Sequence, residues 1–423
     1  MLRSNWKTLI AFPFSSAIGW VLMFLTVCVT KSLSYRRDIL RNTKRPRSSI
    51  YANPQFVNNP DPLFGKHKWL GGSYSVDKEA IYGIPSHAKR VVKIEPKSRR
   101  ITTFGGPYLG QFKWLRGVLA KDHCIYGIPA HAQSVLKIVP DTEEVLELGE
   151  LPEGEWKWHG AALASNDCIY GVPCNAKSVL KIVPGTGEVS MIGNLPEGRN
   201  KWYGALTGRD GCIYGIPYRA RGVLKVNPIS DTVSVIGDIG GEDDNWKWHG
   251  GAVGPDGCIY AFPAHASTVL KITPHVDDAQ VLLEELPLDP TDPHASTPLM
   301  QEKYKWLGGG VDKMGNIYGM PSDATTILKI ETSTGRVTTF GEVSDDKNKW
   351  QGAVLGSDGC LYAIPANAQT ILKIDPLTES IKEIGGPLPK QKDKWQGGFV
   401  GSDGLIYGIP EMSQYILRLD IRT

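Results

Sequence analysis

One phrase recurs eight times along the chain with small changes: Lys-Trp-x-Gly, about eleven residues later Ile-Tyr-Gly-Ile-Pro, and then Val-Leu-Lys-Ile. The clearest copy reads Lys247-Trp248-His249-Gly250, then Asp256-Gly257-Cys258-Ile259-Tyr260-Ala261-Phe262-Pro263, then Val269-Leu270-Lys271-Ile272. Its tryptophans are Trp69, Trp114, Trp158, Trp202, Trp248, Trp306, Trp350 and Trp395, spaced by 45, 44, 44, 46, 58, 44 and 45 residues. A fixed period of this size means a solenoid or a propeller, and the content of one period decides between them.

Each unit holds four short runs of β-branched, aliphatic or aromatic residues separated by turn residues. In the third unit the first run follows Trp158 and ends at Asn166-Asp167. The others are Cys168 to Val172, Val179 to Val183 and Val189 to Gly193. None shows a 3.6-residue period. Asp-Gly pairs (Asp210-Gly211, Asp256-Gly257, Asp358-Gly359, Asp403-Gly404) suit tight hairpins between the first and second runs. Four antiparallel strands per unit describe propeller blades, whose faces bury one another around an axis. The expected fold class is all-β, an eight-bladed β-propeller over residues 54–423. There are eight copies of the first three runs but seven of the fourth. Residues 54–65, with Phe56-Val57 and Leu63-Phe64-Gly65, are expected to supply the missing outer strand beside Ile416 and close the ring.

The stretches Asp403-Gly404-Leu405-Ile406-Tyr407 and Lys373-Ile374-Asp375-Pro376-Leu377-Thr378 resemble the blades of NHL-type and virginiamycin B lyase-type propellers. The similarity covers residues 62–423. It implies the fold, and it implies no single activity, because one fold hosts many. A lyase of that kind would need a histidine base beside a bound substrate. His249 and His265 flank one blade and are the first choices for that role, with His131 and His159 as further candidates.

The amino-terminal part differs. Thr8 to Thr30 is a 23-residue stretch without a charge, long enough to cross a bilayer as a helix. Residues 1–37 are expected to be a single-pass anchor and residues 38–53 a basic, flexible tether. Arg3 and Lys7 precede the apolar stretch, whereas Lys31, Arg36, Arg37, Arg41, Lys44, Arg45 and Arg47 follow it. This bias places the propeller on the cytoplasmic side. A cleaved secretory signal and an organelle-targeting segment are the rival readings. Cys124, Cys168, Cys212, Cys258 and Cys360 occupy one repeat position in five units and are expected to be reduced. The 58-residue spacing marks an insertion between about Glu284 and Glu302.

The formal net charge of +3 gives no reason to expect specific nucleic-acid binding. No phosphate loop, nucleophile elbow, dinucleotide fingerprint or metal-ligand spacing occurs, so no cofactor is expected. The first binding candidate is a ring of lysines: Lys68, Lys113, Lys157, Lys201, Lys247, Lys305, Lys349 and Lys394. Eight cations around one channel mouth would draw an anionic ligand. Packing over aromatic rings or pairing with acids is the structural alternative. The second candidate is the set of varying residues after the Ile-Pro motif, including His87, Arg219 and Asp323. The expected function is a membrane-tethered, non-catalytic scaffold that binds a protein or small anionic ligand on this face. The alternative is a lyase- or hydrolase-like enzyme using the polar residues there.

Overall fold

The structure, a computed structural model, describes residues 63–240, 246–275 and 281–422. Among these, seven four-stranded antiparallel sheets and one three-stranded sheet follow in chain order, each built from consecutive strands running from the axis outward. The inner strands begin at the eight repeat tryptophans, from Trp69–Ser75 in the first blade to Trp395–Val400 in the eighth. Inner strands of neighbouring blades lie against one another, including those of the first and eighth, so the ring is closed.

Burial follows strand order. The second strands, such as Ile259–Pro263, are buried at every residue. In seven blades the third strand buries all but its lysine and final residue, and the outer strands are largely exposed or half-buried. There is one apolar core per blade interface. For example, Tyr126, Ile128 and Val135 of the second blade pack against Trp158, Ile169 and Leu180 of the third. Fully burying one such side chain stabilises by roughly 1.5–3 kcal/mol, and neither sheet could do so alone. The eighth interface joins Leu405, Ile409 and Ile416 to Trp69, Ile81 and Val92.

Two polar devices repeat with the frame. Each repeat tryptophan donates its indole N–H to a carbonyl in the loop before the third strand, as Trp114 does to Ser134 at 2.7 Å. The Asp of the hairpin turn accepts from the main-chain N–H two residues on and from a buried tyrosine. Asp256 takes Cys258 N at 3.1 Å and the Tyr260 hydroxyl at 2.8 Å. The lysines of the third strands lay half-buried stems along the sheet and end on acids. Lys93 reaches Glu143 of the next blade at 2.8 Å, and Lys373 reaches Asp358 at 2.9 Å.

The segment expected to complete the eighth blade falls mostly on residues 54–62, outside the described residues. Leu63, its first described residue, is buried in the same core as Ile416. Residues 63–65 form no strand. The expected anchor and tether (1–53) also lie outside the described residues, among which no helix is long and apolar enough to cross a membrane. The six described cysteines are free and buried. The insertion is a packed structure. Asp289 N donates to Val337 O at 2.7 Å, and Asp292 accepts from Thr339 N at 2.5 Å. Leu288, Leu299 and Met300 join the neighbouring core. The insertion thereby covers the outer edge of the sixth blade, which would otherwise offer an unpaired strand.

Candidate functional site

Loops leading into the inner strands and loops following the Ile-Pro motif meet on one face, as the main-chain bonds from Lys113 N to Ser86 O and from Lys157 N to Ala130 O show. Three rings of side chains surround the mouth there: the residue before each ring lysine, the residue after each repeat tryptophan, and the pair after each Ile-Pro proline.

The ring lysines occupy the expected place with their charges turned inward. They are 0–8% exposed. Lys157 Nζ donates to Ala132 O at 2.7 Å, and Lys349 Nζ donates to Ala324 O at 3.0 Å and Asp346 O at 2.7 Å. Lys68 makes the equivalent bond to Glu411 O at 2.7 Å across the junction of the last and first blades. Lys113, Lys201, Lys247, Lys305 and Lys394 follow the same pattern. Each ammonium thus ties its own loop to that of the preceding blade. Burial pushes Lys68, Lys113, Lys157, Lys305, Lys349 and Lys394 down to about 8, and lowers Lys201 and Lys247. Carbonyl dipoles favour the protonated form. The charges persist at neutral pH, but main-chain oxygens occupy them.

The residues before these lysines carry the character of the mouth, and sequence reasoning passed over them. His67, Phe112, Trp156, Asn200, Tyr304, Asn348 and Asp393 all have φ between 45° and 56°, a region that side chains with a Cβ seldom occupy. The turn aims them over the mouth. With Trp246 and the residues of the other two rings they form an arc of aromatic contacts spanning six blades. His87 meets Phe112 at 4.3 Å, Phe112 meets Trp156 at 4.9 Å, and Tyr218 meets Trp246 at 4.8 Å between ring centres. His265 meets Tyr304 at 4.5 Å. The available signal was that two of the tryptophans outside the repeat, Trp156 and Trp246, stand directly before a ring lysine.

Tyr203, on the inner strand of the fourth blade, is sandwiched by His159 and His249 at 3.7 and 3.9 Å. Over Tyr203 stands Arg116, its guanidinium carbon 5.9 Å from the ring centre. Arg116 takes the place that glycine holds in the other seven Lys-Trp-x-Gly units, with φ at 53°. That departure was legible in the sequence. Burial, with Arg116 adding to it, pushes His249 down to about 3 and His159 well below the usual histidine range. Burial also brings His87 and His265 down to about 4 and lowers His131. All five imidazoles are therefore neutral at pH 7.

The seventh and eighth blades are polar instead. Asp323 accepts from Asn348 N at 2.7 Å, Asn367 from Asp393 N at 2.9 Å, and Asn348 Oδ1 from Gln351 at 2.5 Å. These varying residues partly serve to pin the next loop. Arg219 is half-buried, and its main-chain N–H bonds to Asn200 O at 3.0 Å. Between the aromatic and polar sides lies a cavity of about 520 Å³, lined among others by Trp156, His159, Tyr203, Trp246, Asp323 and Gln351. The volume is that of a small-molecule site. The first-choice histidines sit apart in the arc. His249 stacks on Tyr203, while His265 Nδ1 accepts from Trp246 N at 3.3 Å. A different pair adjoins the closure, where His67 Nδ1 and Glu411 Oε1 are 2.7 Å apart. Burial raises Glu411 to about 7.

No protein-family model matches the chain, and no curated protein does. Among solved structures, a streptogramin B lyase is similar over 89% of this chain and 97% of its own, at 14% identity and a TM-score of 0.54. Virginiamycin B lyase from Staphylococcus aureus is similar over 72% and 94%, at 16% identity and a TM-score of 0.54. A protein from Lactobacillus plantarum is similar over 84% and 100%, at 12% identity and a TM-score of 0.52. At these identities the likeness shows the propeller fold, which agrees with the blade resemblance carried by the repeat.

Proposed function

We propose that this protein is a binding propeller that takes a small organic ligand at its channel mouth and is tethered by residues 8–30 to a membrane, with the propeller on the cytoplasmic side. The observation that carries the binding reading is the asymmetric cavity, with aromatic rings on one side and amides and Asp323 on the other, set on a frame that otherwise repeats eightfold. Structural residues obey the repeat, whereas the residues facing this cavity break it. The ring lysines serve this reading as clamps that hold the mouth loops, rather than as contacts to the ligand. The neutral imidazoles at His249 and His265 are weak bases at physiological pH, which favours binding over proton abstraction.

The test is a titration of the purified propeller with the neutral dye N-phenylnaphthylamine, read as energy transfer from tryptophan. Replacing Trp156 and Trp246 together by Ala should weaken binding at least tenfold without changing the thermal midpoint by more than 1–2 °C, roughly the effect of a minor surface change. Unchanged affinity in that variant would refute the mouth as the site. The tether is tested by fractionation of the full chain, with a version lacking residues 1–37 expected in the soluble fraction.

The His67–Glu411 pair favours a second reading, acid–base catalysis of the lyase or hydrolase kind at the same mouth. A carboxyl near neutrality beside an imidazole is suited to moving a proton. Under that reading Glu411→Gln abolishes turnover of a ligand that the protein still binds.

A further inference from the structure

The eight inner strands carry one charged residue among them, Arg116. The seven equivalent positions are glycines with φ between 66° and 104°, so the frame asks for glycine there and this blade supplies an arginine at the expense of its backbone. Such outliers gather at functional sites, where surrounding structure holds them in place. Room for the side chain comes from the neighbouring blade. A Cβ built on Gly71 would lie 3.3 Å from Arg116 Cα and 3.4 Å from its Cγ. Arg116 is exposed, and a residue of an inner strand meets solvent through the channel and its mouth. Among the described residues no carboxylate pairs with it. Its neighbour is the Tyr203 ring, whose two flanking imidazoles are neutral. His159 Nδ1 is buried without a hydrogen-bond partner, and His159 and Tyr203 also line the cavity. A guanidinium that shares only the Tyr203 side chain and meets no carboxylate, beside a low-dielectric, aromatic wall, attracts an anion more strongly than one in open water.

We infer that Arg116 makes the mouth selective for small organic acids: the guanidinium takes the carboxylate, sulfonate or phosphate, and the flat apolar body lies on the wall formed by Trp156, Tyr218 and Trp246. This inference rests on the proposed binding mouth, and a pair of dyes separates the two. Anilinonaphthalene sulfonate and N-phenylnaphthylamine share one ring body and differ in the anionic group. The wild-type propeller should bind the sulfonate at least tenfold more tightly than the neutral dye. Arg116→Gly and Arg116→Gln should bring the two within about threefold by weakening the sulfonate alone, and Arg116→Lys should keep part of the preference. Glycine is the residue of the other seven blades, so that variant keeps the frame. Equal binding of both dyes by wild type, or a preference that survives Arg116→Gly and Arg116→Gln, overturns the anion site while leaving the mouth intact. Failure of wild type to bind either dye, or neutral-dye binding untouched by replacing Trp156 and Trp246, overturns the mouth and the inference with it.

Discussion

At the scale of single residues, the repeat separates side chains that build from side chains that face the cavity, and the two behave oppositely on substitution. Lys305 is 0% exposed and donates to Ala264 O at 3.1 Å and Glu302 O at 2.8 Å. Lys305→Met leaves Glu302 O without its donor and Ala264 O with only the main-chain N–H of Lys305, and should cost about 1–3 kcal/mol where the freed carbonyl finds no water. Lys303→Met, at an exposed position two residues earlier, should cost less than about 0.5 kcal/mol. Urea unfolding of the two variants decides this. Charge reversal of the ring lysines, which a purely surface ring would tolerate, would set carboxylates against carbonyls and unfold the blade junctions. Arg116 is the counter-example. Its left-handed backbone costs about 1–2 kcal/mol, against about 0.5–1 kcal/mol returned by the contact with Tyr203. Arg116→Gly should therefore stabilise the propeller by up to about 1 kcal/mol, while Arg116→Ala, which keeps the Cβ, should not. The sequence shows that lysine recurs. It cannot show that the ammonium ends on a carbonyl rather than in solvent, because both outcomes need the same residue at the same spacing.

At the scale of elements, the hairpin between the first and second strands is the most transferable piece. Its Asp caps the N–H two residues on and takes the tyrosine hydroxyl in six blades, and Asn166 does related work in the third through Cys168 N and Tyr170. Asp256→Asn should therefore be nearly silent. Asp256→Ala strands the buried Tyr260 hydroxyl and should cost about 1–3 kcal/mol, as thermal melts of the pair would reveal. The number and order of the described strands and the hairpin positions were legible, because short β-branched and aliphatic runs and Asp-Gly turns are local signals. The loops before the inner strands were not. Their residues take positive φ without being glycine, so no local propensity marks them, and only Trp156 and Trp246 stand out by type. Arg116 was readable as the one missing glycine in eight aligned units. The packed insertion was visible only as extra length, since its contacts with Val337 and Thr339 join segments 47 residues and more apart.

For the whole molecule, closure is made by the core that joins Leu63 and Trp69 to Ile416 and by the bonds of Lys68 and His67 to Glu411, and its titrating groups set the pH response. His87, His131, His159, His249 and His265 all have folded values below the unfolded 6.5. The unfolded chain then binds more protons below pH 6.5, so their contribution is lost as pH falls from 6.5 towards 4. Glu411 opposes them. Its value is raised from 4.5 to about 7, so its protonation favours the folded ring over the same range. Five groups against one predict a thermal midpoint that falls from pH 7 to pH 5, and falls further in Glu411→Gln, which lacks the compensating carboxyl. A midpoint that rises on acidification would contradict the buried, neutral imidazoles on which the aromatic arc depends. On the proposed function, this ring recognises its ligand through the residues that break its symmetry. A crystal structure of the propeller soaked with anilinonaphthalene sulfonate tests it most directly. The sulfonate is expected on the Arg116 guanidinium and the rings against Trp156 and Trp246. Dye bound between blades, on the outer strands or at the ring lysines would contradict it.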